Sequence, residues 1–228
     1  MRAENQIHVC MAAIPRRINS LEKTVESLID QVEVLKIHLN DFNHVPDFLK
    51  NPKIELVFGD NSKMSCTKFL WVDRLKGYYL TVDDDLIYPP DYVSEMTAAI
   101  DRERCIITAH GSKIKEGHID SYYGNRTVFD ATLGVPQDVE VDVPGTGVMG
   151  FHTEDVDIFF RDLLYPGMED IALFKLAKER GYRCVVLAHD HGWLTPSTHK
   201  NDCGLWGFAR FNDSRETQII NETRQQHE

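Results

Sequence analysis

Short apolar runs of strand length alternate with runs of helical periodicity from the start of the chain. Residues 7–13, IHVCMAA, are compact and apolar, as a strand buried on both faces requires. Over 19–32, Leu21, Val25, Leu28, Ile29 and Val32 fall on one helical face, and Asn19 followed by Glu22 has the spacing of a capping box. Strands are predicted at 32–40 and 53–60, a helix at 64–75 and a strand at 77–82. A helix at 91–103 then leads to a strand at 105–110. This rhythm predicts an α/β fold with a mostly parallel central sheet and helices on both faces.

The rhythm breaks over 111–148, where glycines, two prolines and short β-like runs replace it, so a small β excursion beside the main sheet is expected. It returns at 168–183, MEDIALFKLAKERGYR, a helix with acids at its start, bases at its end and Gly181 as its stop. Strand 184–188, CVVLA, follows. The expected organisation is one domain over 1–210 and a polar tail or helix over 211–228.

Composition narrows the function. The chain has 228 residues and a formal charge of −11, which argues against a general nucleic-acid binder. No apolar run approaches the roughly 20 residues that cross a bilayer, and the opening MRAENQIHVCMAAIP lacks the apolar length of a signal peptide. Five widely spaced cysteines suit buried thiols in a reducing compartment better than a disulfide framework or a zinc site. A cytoplasmic protein is expected, free or peripheral at the inner face of the membrane, of undetermined oligomeric state.

The chemistry collects at strand ends. In LTVDDDLIYPPDY three aspartates, Asp83, Asp84 and Asp85, close an apolar strand. Ligands of parallel sheets bind beyond the carboxyl ends of strands, and crowded carboxylates there repel unless a hard cation such as Mg²⁺ or Mn²⁺ joins them. An acidic turn capping the next helix is the structural alternative. Asp60 closes the preceding strand, on the same edge, where it could accept hydrogen bonds from a nucleobase or act only as a turn former. In PGTGVMGFHTE, Gly145 and Gly147 flank Thr146 and allow close backbone approach, as an ordinary turn also would. Glu169 and Asp170 open the late helix, where acids offset the helix dipole. His189 and His191 flank Asp190 after the last strand.

In this order, the motifs resemble those of the GT-A glycosyltransferases, above all the family-two-like bacterial sugar transferases. The resemblance spans about residues 5–195. It implies a metal-dependent transferase that moves a sugar from a nucleotide diphosphate, UDP by expectation, to a hydroxyl on a glycan or lipid-linked acceptor. By the same resemblance Asp83 and Asp85 are the outer acids of an Asp-x-Asp motif holding Mn²⁺ or Mg²⁺, with Asp84 as the alternative register and His191 as a further ligand. Asp60 reads uracil, Ala13 and Pro15 lie on the first nucleotide-facing loop, and Lys68 stands near the donor. Gly145, Thr146 and Gly147 line the sugar. Asp170 becomes the general base of an inverting reaction, with Glu169 positioning the acceptor, and His199, Lys200 and Trp206 belong to a loop closing over the nucleotide. Two rival readings remain: a haloacid-dehalogenase-like phosphatase, since a strand ending in Asp-x-Asp also fits that family, and a non-catalytic nucleotide-sugar-binding domain.

Overall fold

A computed structural model of the chain describes residues 5–197 and 212–227. His199, Lys200 and Trp206 lie outside these residues. The first half comprises β1 (Ile7–Ala13), α1 (Ile18–Leu28), β2 (Leu35–Asn40), β3 (Ile54–Gly59), β4 (Tyr78–Val82), β5 (Leu86–Ile87), α2 (Tyr92–Glu103) and β6 (Ile106–Thr108). The second half contributes β7 (Gly111–Ile114), β8 (Arg126–Phe129), β9 (Val139–Glu140), β10 (Val143–Pro144), β11 (Val148–His152), α3 (Glu169–Arg180), β12 (Cys184–Val186), β13 (Thr195–Pro196) and α4 (Ser214–His227).

Eight strands form the central sheet in the order β3-β2-β1-β4-β11-β6-β12-β9. The pairs β3–β2, β2–β1, β1–β4 and β6–β12 are parallel. β11 lies antiparallel between β4 and β6, and β9 is antiparallel to β12. The fold is thus the mixed α/β, mostly parallel architecture expected.

The two-residue period of the strands divides the apolar residues between two cores. Val9 and Met11 of β1, with Leu80 and Val82 of β4, pack against Leu21 and Val25 of α1 and Met96 and Ile100 of α2. Cys10, Tyr79, Met149 and Phe151 point the other way, onto Phe69 and onto Leu173 and Ala177 of α3. Both faces of the sheet's centre are therefore dry, which is why β1 and β4 read as continuous apolar runs, while the edge strand β3 stays partly exposed.

The excursion is an antiparallel sheet, β10-β7-β8, beside the central one. α4 docks on α3, with Ile220 buried among Ile171, Phe174 and Tyr122. Among the described residues no helix is long and apolar enough to cross a membrane.

Three local expectations change. α1 begins at Ile18, after a 3-10 turn over Pro15–Arg17, and its cap residue Arg17 makes no capping bond, so no box forms at Asn19 and Glu22. The Arg17 side chain is committed to Asp84 instead. The helix predicted over 64–75 is a 3-10 run, Asn61–Phe69, broken at Met64, where φ is 49°. Asp60 opens that run by accepting a hydrogen bond from Ser62 N, the local side-chain competition that disfavours α-helix at such residues. Finally, the run after Gly147, for which the sequence predicts no element, is the buried central strand β11.

Candidate functional site

β4 delivers its aspartates to the carboxyl end of the sheet, and a buried tyrosine holds them there. The amide of Asp83 donates to Gly147 O at 2.9 Å and to Tyr88 Oη at 2.8 Å. Tyr88 Oη in turn donates to Gly147 O at 3.0 Å. The acidic turn is thereby fixed against the glycine-rich segment. A Cβ on Gly147 would stand 2.0 Å from Asp83 Oδ2, so only glycine lets the carboxylate lie where it does.

Two cations share the three carboxylates. Lys68, 2% exposed, donates to Asp83 Oδ1 at 2.7 Å. Arg17 Nη1 pairs with Asp84 Oδ1 at 2.7 Å and with Asp85 Oδ2 at 3.0 Å. Burial alone pulls the Lys68 ammonium down, but the charges of Asp83 and Glu169 outweigh it and its pKa stands above the ordinary lysine value. Burial acts to raise Asp83, and Lys68 overcomes it, so this carboxylate lies below the usual range. Burial first, and the Asp83 charge second, push Asp85 up to about 6, although Arg17 opposes both. The cluster is short of positive charge at Asp85.

That shortfall bears on a metal. Among the described residues no three His, Cys, Asp or Glu side chains form a metal-holding group. Asp83 and Asp85 are hard oxygen donors facing one cleft, and Asp83 keeps Oδ2 free of Lys68. This set fits a Mg²⁺ or Mn²⁺ ion held by one or two carboxylates and completed by substrate phosphate oxygens, and does not fit an all-protein cage.

The opposite wall comes from the start of α3. Thr146 donates to Asp170 Oδ1 twice, from its amide at 2.8 Å and from Oγ1 at 2.7 Å. Asp170 lines the cleft, and among the described residues its Oδ2 accepts no side-chain or backbone hydrogen bond. Glu169 is buried, accepts a short hydrogen bond from Ser65 Oγ, and is raised by burial despite the nearby Lys68 charge. It serves as a buried partner of Ser65 and a second negative charge beneath Lys68. His110 closes the floor: Ala131 N donates to its Nδ1 at 3.4 Å, and burial lowers its pKa against the opposing charges of Asp130 and Asp170. With Nδ1 accepting, the neutral form of the ring would carry its proton on Nε2.

These residues line one cleft of about 1190 Å³, large enough for a nucleotide sugar and part of a second substrate. Pro15, Lys68, Asp83, Asp84, Asp85, Gly145, Thr146, Gly147, Glu169 and Asp170 all contribute to its wall. Three candidates do not. The register of β1 turns Ala13 into the core and presents Ala12 and Ile14 to the cleft. Asp60 is exposed and holds Ser62 N, while Asn61 and, from the end of β2, Asn40 and Asp41 contribute to the lining. His191 is exposed on the turn after β12, away from the lining.

Arg17, Asp41, His110, Tyr122, Tyr123 and Arg126 are lining residues that sequence reasoning missed. Only the YYGNR run at 122–126, two aromatics next to a cation in a polar segment, carried a readable signal.

No family model matches the chain, and no curated protein matches it. Among solved structures it is similar to 4-diphosphocytidyl-2C-methyl-D-erythritol synthase from Anaerococcus prevotii, with a TM-score of 0.53 and 11% sequence identity over 97% of this chain and 99% of that one. At this identity the likeness concerns the fold alone: a Rossmann-like α/β architecture.

Proposed function

We propose that the protein is a metal-dependent glycosyltransferase that moves a sugar from a nucleotide diphosphate, UDP by preference, to a hydroxyl of a glycan or lipid-linked acceptor. The observation that carries this reading is the convergence of the Asp83, Asp84 and Asp85 turn and of Asp170 on one cleft, with Thr146 bonded to Asp170 and Gly147 to Asp83. The likeness to a synthase whose name contains a diphosphocytidyl group supports nucleotide use in general.

In this account the base lies against Asn40, Asp41 and Asn61, with Asp60 next to Asn61 in the chain but outside the lining. The diphosphate lies over Asp83 and Asp85, and the sugar against residues 145–147. Asp83 and Asp85 would hold a Mg²⁺ or Mn²⁺ ion, which would supply positive charge to offset that of the departing diphosphate. Asp170 Oδ2 takes the proton from the acceptor hydroxyl as its oxygen bonds to the anomeric carbon. The bond from that carbon to the diphosphate breaks, its electron pair leaves with UDP, and the anomeric centre inverts. Thr146, by filling Oδ1, directs Oδ2 at the acceptor. Lys68 is a buried counter-charge that keeps Asp83 ionised.

Product analysis tests the reading. With UDP-sugars, Mn²⁺ and a panel of hydroxyl acceptors, the protein should release UDP in step with glycoside formation. Release of pyrophosphate would mark nucleotidyl transfer, release of inorganic phosphate from simple phosphoesters a phosphatase, and tight UDP binding without turnover a binding domain.

A further inference from the structure

Among the cations that line the cleft, one is held on an aromatic platform and has no part in the account above. Arg126, at the start of β8, lies over two tyrosine rings, 4.4 Å from the Tyr122 centroid and 4.6 Å from that of Tyr123. Its Nη1 donates to Tyr122 Oη at 2.5 Å. Lys68 and Arg17 are each paired with aspartates, whereas no described carboxylate pairs with Arg126. A guanidinium on an aromatic face is held flat, and its remaining N–H donors form a fork suited to a carboxylate or phosphate.

The platform is itself well built. Tyr122 is 4% exposed and packs with Ile171, the neighbour of Asp170 in α3. Its amide donates to Thr217 Oγ1 at 2.9 Å, and the Tyr123 amide donates to Asp213 Oδ2 at 2.8 Å. The end of α4 thus fixes the tyrosine turn. Through Tyr122 and Ile171, the Arg126 platform packs against the start of α3, the element that carries Asp170, and both Arg126 and Asp170 line the cleft. In a cleft so rich in carboxylates, an unpaired and preorganised arginine is a specific place for an anion.

We propose that Arg126, on its Tyr122 and Tyr123 platform, binds an acidic group carried by the acceptor next to the hydroxyl that reacts, so that the acceptor class is an acidic sugar or a phosphorylated glycan. The inference rests on the glycosyl-transfer reading for the word acceptor, but the anion site does not. Any carboxylate or phosphate held there leaves the neighbouring hydroxyl within the space faced by Asp170.

Calorimetry on the full chain saturated with UDP and Mn²⁺ tests it, with methyl glucoside as the neutral probe, methyl glucuronide as the carboxylate and glucose 6-phosphate as the phosphate. At least one acid probe should bind about tenfold or more tighter than methyl glucoside, and Arg126→Gln should abolish that preference. Which acid gains distinguishes carboxylate from phosphate. Arg126→Lys, which keeps the charge but not the fork, should retain only part of the preference. Equal binding of acid and neutral probes by the wild type, or failure of both acids to bind, overturns the proposal without relying on any variant to fold. An unchanged preference in Arg126→Gln overturns it too. Acid binding that depends on Arg126 in a protein that transfers no sugar would keep the anion site and remove the glycosyltransferase reading. Sugar transfer by a wild-type protein that binds acid and neutral probes equally would do the opposite.

Discussion

Thr146 gives both its amide and its hydroxyl to a single oxygen of Asp170, at 2.8 and 2.7 Å. The other oxygen is left to the cleft. A carboxylate that only offset the dipole of α3 would need no such orientation from a distant segment, 24 residues earlier in the chain. Further bonds tie the threonine's own segment to the sheet: Thr81 Oγ1 donates to Thr146 O at 2.6 Å and Thr108 Oγ1 to Gly145 O at 2.9 Å. The acidic turn and Asp170 are thus positioned by one rigid segment, and displacing it should disturb both.

Gly147→Ala tests that coupling. The new Cβ would collide with Asp83 and drive its carboxylate off Lys68. Stability should fall by about 1–3 kcal/mol, the usual cost of overpacking, and UDP affinity in the presence of Mn²⁺ should fall with it. Thermal melts and calorimetry read the two effects. Wild-type affinity in this variant would mean that Asp83 can leave its place without consequence.

His110 makes the cleft sensitive to acid. Its pKa in the folded protein lies below the ordinary 6.5. Between that depressed value and 6.5 the unfolded chain binds more protons, so stability rises with pH across the window and is lost as pH falls through the folded pKa. Melting temperatures of the wild type should therefore drop below pH about 6.5 more steeply than those of His110→Gln. Parallel curves would remove His110 from the acid response.

Asp213 holds α4 to the excursion: Ser121 Oγ donates to it at 2.7 Å and the Tyr123 amide at 2.8 Å. Asp213→Ala leaves that amide unpartnered and should cost about 1–3 kcal/mol. Amide exchange should quicken over 121–126 while β1 and β4 keep their protection. Uniform loss of protection would show instead that α4 stabilises the whole domain.

The fold was legible because its strands are buried on both faces and its helices carry one apolar stripe. The positions of β1, β2, β3 and β4 could be read to within three residues for that reason. β11 could not. Its sequence, VMGFH, carries a glycine at its centre and follows two more, and local composition cannot say that a segment is threaded antiparallel between two parallel strands. The acidic turn stood out because three like charges end an apolar run. Arg17, His110 and Arg126 did not stand out. Each comes from a different segment and meets the others only in space, and the excursion that supplies Arg126 has no periodicity to place its side chains. The register of β1, which sends Ala12 rather than Ala13 to the cleft, likewise depends on the pairing with β2 and β4.

The central claim is that Asp170 takes the acceptor's proton. Asp170→Asn keeps the shape of the side chain and removes its basicity. The decisive measurement is the rate of UDP release coupled to glycoside formation in this variant, beside its UDP affinity and melting temperature. The account predicts a rate lower by about 10²–10⁴, equivalent to roughly 3–5 kcal/mol of barrier, with UDP affinity and folding close to wild type. A well-folded Asp170→Asn protein that transfers sugar at the wild-type rate would contradict it.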